Sequence, residues 1–187
     1  RYRTSHHGED LLPPALGVLE HETIAPGVIF EEGDLRISAY IAAHPPIEPG
    51  VGCRIDYRGR SVVVSGDSNV SGYTMSAVAG ADLLLHDALS LPITQALSSA
   101  LGAAGQSRQS KIVSDVMDYH ASAESLIALG KNSDADMVAF YHLVPVPPNS
   151  LLKDVFLRGA PDHFLIAEDL MWFELPAGSD DIIVNQP

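Results

Sequence analysis

The sequence predicts an α/β layered domain, a mixed sheet with helices packed on it, and three observations carry that expectation. Alternating apolar and polar residues mark paired strands early in the chain. Continuous apolar runs, as found in strands buried on both faces, come later. Helix-capping residues stand between those runs. In VIFEEGDLRISAYIAAH, Ile37, Ala39 and Ile41 alternate with Arg36, Ser38 and Tyr40, which predicts two strands around an EEGD turn. VGCRIDYRGRSVVVSGD predicts a second hairpin turning at Arg58-Gly59-Arg60. A short helix over 71–79, the buried strand ADLLLHDAL and an Ala- and Leu-rich helix over 92–104 follow. The polar stretch GQSRQS then leads to a helix over about 121–131, with Ser122 and Glu124 at its start. DMVAFYHLVPVPP is a further buried strand, and Asn149 or Ser150 caps a helix through about 158. HFLIAEDLMWFEL reads as a final strand pair, and LPPALG at 12–17 as a loop.

At 187 residues the chain is long enough for one domain with its own core, and 46% apolar with 19% charged residues is globular rather than disordered composition. Eleven Lys and Arg against 24 Asp and Glu give a net charge of −13. That balance disfavours non-specific binding to a phosphate backbone. The lone Cys53 rules out an internal disulfide, and no apolar run reaches membrane-spanning length. Compartment is left open between cytoplasm and periplasm.

Several apolar runs end on a side chain able to bind a metal: IAAH at His44, VVVSGD at Asp67, LLLHD at His86-Asp87 and VAFYH at His142. Strand ends are where open α/β sheets place their chemistry. Imidazoles and carboxylates without thiolates suit zinc, iron or manganese in a hydrolytic site. Each residue alone has a structural reading too. Asp67 caps a following helix, His44 sits in a loop, His142 bonds a core carbonyl and His86 points into the fold. His6, His7, His21 and His163 lack strand-end placement and read as structural or surface groups.

The series AAHPPIEPGVGCRIDYRGRSVVVSGDS, ADLLLHDAL, DYHASAES and MVAFYHLVP resembles the C-terminal half of metallo-β-lactamase-fold hydrolases, nearest their ribonuclease Z-like branch. The resemblance runs from about residue 27 to 145, and RYRTSHHGEDLLPP resembles the segment that precedes it in bacterial members. It implies the second half of an αββα sandwich. It also implies metal-dependent hydrolysis of a phosphodiester, sulfate ester or related ester by a hydroxide activated between two divalent ions, zinc first and manganese or iron as alternatives. By resemblance His44 binds one metal, Asp67 bridges both and His142 binds the second. Cys53 stands where the family has an aromatic residue, and Ser68 where it has Thr. The family's His-Glu-Ala-Thr and His-Ser-Thr motifs fall on His86-Asp87-Ala88-Leu89 and His120-Ala121-Ser122. They imply that Asp87 orients His120, which protonates the leaving group.

The family's His-x-His-x-Asp-His motif is absent from these residues, and His6-His7 has neither its spacing nor its Asp. The expectation is therefore a single domain over 1–187, a fragment of a longer enzyme and inactive alone. The competing expectation is a truncated, non-catalytic family member that scaffolds or pairs. Either way the partner expected is a second copy or the missing N-terminal half. Only 22 residues separate His44 from Asp67, too few for the arm that grips RNA in tRNA-processing members. With the acidic charge, that predicts a small-molecule ester substrate and disfavours nucleic acid. No membrane partner is expected.

Overall fold

The computed structural model describes residues 22–186, and within them nine strands and five α-helices. The loop expected at 12–17, and His6, His7 and His21, lie outside the described residues. Strands β1 (Gly27–Glu32) and β2 (Leu35–His44) form the first hairpin, and β3 (Ile47–Tyr57) and β4 (Arg60–Val64) the second. Helix α1 (Gly72–Val78) leads to β5 (Leu83–Leu89). Helices α2 (Leu91–Ala103), α3 (Ser107–Asp115) and α4 (Ala123–Asn132) precede β6 (Met137–Val144). Helix α5 (Ser150–Phe156) and the short strands β7 (Phe164–Ile166), β8 (Trp172–Glu174) and β9 (Ile183–Asn185) complete the chain.

Strands β1 to β7 form one mixed sheet in sequence order, antiparallel through β4 and parallel from β4 to β7. Every parallel crossover steps one strand in the same direction, and right-handed crossovers of that kind put their helices on one face. The burial agrees. Val63, Leu84, Val138 and Phe140 share that face and join Val78 of α1, Leu126 and Leu129 of α4 and Phe156 of α5 in the core. On the opposite face Ile37, Ile55 and Val62 are in register, as are Cys53, Val64 and Leu85, and all are only half-buried.

Helix starts follow the capping residues. Ser71 and Thr74 form a reciprocal capping box on α1, Ser122 Oγ accepts from the Ser125 amide, and Asn149 accepts from the Leu152 amide at 3.0 Å. Two features depart from expectation. The polar stretch after residue 106 is helical: α3 packs back on α2, with Ser110 Oγ donating to the Ser98 carbonyl at 2.8 Å. The final strands do not pair with each other. β7 joins the main sheet beside β6, whereas β8 pairs with β9. Three-residue strands carry too little period to reveal their partner.

Candidate active site

The C-terminal edge of β4, β5 and β6 collects the polar groups, and backbone irregularities aim them. At β4 the chain turns through Gly66, whose φ of +66° suits glycine, and a Cβ there would stand 2.8 Å from the Val51 carbonyl oxygen. That turn releases Asp67 from the sheet, and the carboxylate is 48% exposed. Asp67 therefore does not cap α1, whose cap is Ser71. On β6 the register against β5 slips: Asp87 opposes Tyr141 and Ala88 opposes Leu143, so His142 is the extra residue of a bulge. Its φ of +43° is rare for a side-chain-bearing residue. Bulges and strained dihedrals of this kind re-aim side chains beside functional sites. His44 likewise sits where the β2–β3 register breaks.

These devices bring three of the five expected site residues to one point. Ligand atoms of Asp67, His120 and His142 lie within 4.8 Å of one another, and His142 Nε2 is 3.5 Å from Asp67 Oδ2. His44 stands beside that trio rather than in it. Its ring centroid is 6.1 Å from that of His120 and 4.9 Å from that of Tyr119. Tyr119, packed at a tilt against both rings, did not emerge from the sequence, where its only signal is its place next to His120. An open cavity of about 700 Å³ borders His44, walled by Ile41, Pro45, Pro49, Ser71 and Tyr73.

Asp87 lies behind the trio, fully buried. His120 Nδ1 is 2.7 Å from Asp87 Oδ2, and the Ser68 amide donates to Oδ1 at 3.1 Å. Burial pushes this carboxyl up. The bonds from His120 and His86, the nearby His86 ring and the Ser68 amide outweigh it and hold the group below its ordinary value. An ionised carboxylate only accepts, so the His120 proton sits on Nδ1 and Nε2 is left for the site.

His86 is also fully buried, and Nδ1 lies 2.8 Å from the Asp87 carbonyl oxygen and 3.0 Å from Asp87 Oδ1. The carbonyl is the better aligned acceptor. With two acceptors and no donor at that atom, Nδ1 carries the proton. Nε2 then faces the core without a partner among the described residues. A buried polar atom left that way costs about 1–3 kcal/mol.

Asp67 and His142, each about half-exposed, offer a carboxylate and an imidazole suited to a divalent ion of the zinc type, with the buried His120 ring adjoining, and among the described residues no Lys or Arg pairs with Asp67.

No protein-family profile matches the chain. The structure resembles the metallo-β-lactamase fold protein YhfI from Bacillus subtilis, with a TM-score of 0.51 and 14% identity over 74% of this chain and 49% of that one. It also resembles Zn(2+)-bound PqqB from Methylobacterium extorquens, with a TM-score of 0.53 and 18% identity over 90% of this chain and 57% of that one. The chain thus has the metallo-β-lactamase fold. Within that fold its kinship is narrower. It is 30% identical to ribonuclease Z of Mycobacterium avium over 144 residues, 77% of this chain and 46% of that protein. It is also 30% identical to putative ribonuclease Z of Mycobacterium tuberculosis, over 77% of this chain and 58% of that protein. The chain is ribonuclease Z-like in sequence and spans about half the length of the curated relatives it matches.

The kinship corrects one expectation. A small-molecule ester substrate, with nucleic acid disfavoured, conflicts with relatives named for acting on RNA. Net charge sums the whole surface, whereas a substrate meets only the site rim, so −13 did not bear on the question. Among the described residues no helix is long and apolar enough to cross a membrane.

Proposed function

We propose that this chain carries metal-binding and proton-donating residues of a phosphodiesterase acting on RNA. One observation above all supports the reading: Asp67, His120 and His142 converge at a strand-end rim while Asp87 bonds His120 from behind. The sequence kinship to proteins named ribonuclease Z supports the substrate class.

In this reading His44, Asp67 and His142 would hold the divalent ions, zinc foremost. Bound there, the ions would acidify water and polarise the phosphoryl oxygen. His120 is the general acid. Its Nδ1 proton stays on the bond to Asp87 Oδ2, and a second proton on Nε2 passes to the departing ribose oxygen. Asp87 fixes the ring's orientation and stabilises the imidazolium that precedes transfer. The half-exposed rim leaves room for a phosphate of an extended strand, and Tyr73, 58% exposed at the adjoining cavity, offers a ring for base stacking.

The test is turnover of a short RNA by a zinc-loaded protein that carries this chain within the full length of its ribonuclease Z relatives. His120→Ala should lower kcat by about 10²–10⁴-fold with metal content retained. Equal turnover by the variant would remove the assignment of His120.

A further inference from the structure

We propose that His86 is a positioning residue of the candidate active site, the second of two imidazoles that clamp Asp87. The inference rests on the reading in which Asp87 orients His120, and it gives a task to a buried histidine which that reading leaves idle.

Three facts carry it. First, Leu84, His86 and Ala88 share one strand face by alternation, and Leu84 and Ala88 belong to the apolar core. An aliphatic side chain would satisfy that position without leaving Nε2 unpartnered. Second, what the imidazole offers is spent on one neighbour. Its Nδ1–H faces the Asp87 carbonyl at 2.8 Å, with Asp87 Oδ1 3.0 Å away. The ring thus restrains both the main chain and the carboxylate of the same residue. Third, the restraint falls where the strand is least regular, since the β5–β6 register slips between Asp87 and Ala88. With Oδ1 accepting from the Ser68 amide and His86 Nδ1 3.0 Å from it, Oδ2 is left to the 2.7 Å contact with His120.

Asn and Gln separate the two ring nitrogens. The Asn amide reaches roughly the place of Nδ1, and the Gln amide that of Nε2. The experiment compares wild type with His86→Leu, His86→Asn and His86→Gln, after thermal melts confirm folding. It reads the slowly exchanging His120 Nδ1–H proton resonance and, separately, kcat and KM on a short RNA. His86→Leu and His86→Gln should broaden or lose the resonance and lower kcat about tenfold or more, in the range usual for outer-shell partners, with KM little changed. His86→Asn should restore the resonance and most of kcat. If Leu fails to fold, the contrast between Asn and Gln decides alone. A Gln variant matching wild type, or an Asn variant as impaired as Gln, would overturn the proposal. Should wild type, carried in a protein of its relatives' full length, show the resonance but no turnover, the phosphodiesterase reading fails, and the resonance in the variants still judges the clamp.

Discussion

The strand ends of β4, β5 and β6 and the terminal hairpin β8–β9 are both held by buried charge, yet to different ends. In the first region the carboxylate of Asp87 receives bonds from His120 and the Ser68 amide, with His86 alongside, and all three side chains are shielded from solvent. In the second, Arg60 pairs with Asp82 at 2.9 Å and reaches the Ser179 and Asp181 carbonyls, while Trp172 and Ile183 stay exposed. A buried charge that anchors an exposed hairpin is a fastener. One that orients a second titratable ring facing a rim is, in the proposed reading, machinery. The difference lies in what stands at the far side of the partner.

Breaking the first region should have the largest effect. Asp87→Ala leaves the buried His120 imidazole and the Ser68 amide without their acceptor and should cost about 3–5 kcal/mol, read by denaturant unfolding, along with turnover. Gly66→Ala should come next, at about 1–3 kcal/mol, because it forces a side chain into positive φ and against the Val51 carbonyl. Since Gly66 aims Asp67, zinc affinity should fall with stability, and a melt combined with metal titration checks both.

Acid sharpens the same contrast. Asp87 is held below its ordinary value, so the stability it contributes is present above the unfolded pKa of about 3.9 and lost as pH falls through the lower folded value. Acid unfolding followed by circular dichroism should show wild type losing stability in that window, and Asp87→Asn losing less. Arg60→Met should have a smaller, purely structural effect of about 1–3 kcal/mol. Its turnover and zinc affinity should match wild type, as measured in parallel with the Gly66 variant. Lys111→Ala, which removes an exposed pair with Asp115, should leave the melting temperature unchanged.

Much of the fold was legible because its signals are local. Alternation in Arg36–Ile41 and the apolar runs LLL and VAF fix strands, and Ser71, Ser122 and Asn149 fix helix starts. Helix α3 was missed because SRQSKIVSD buries none of its residues. The pairing of β7 with β6 rather than β8 depends on sheet closure, which three residues do not encode. At the site, residue types and strand ends were visible, and the aiming was not. The bulge that turns His142, and the 33-residue separation closed by the Asp87–His120 bond, exist only once β5 and β6 are in register. For the same reason His86 looked like a core residue, which it is, and its contact with Asp87 stayed hidden.

The central claim is that Asp67 and His142 help build a cation site. Calorimetric titration of zinc into the protein tests it most directly, with Asp67→Asn and His142→Ala compared against wild type and Arg60→Met as control. The expected result is zinc binding in wild type and the control, and loss of most of that affinity in each site variant. Zinc binding of equal strength in all four proteins would contradict the account.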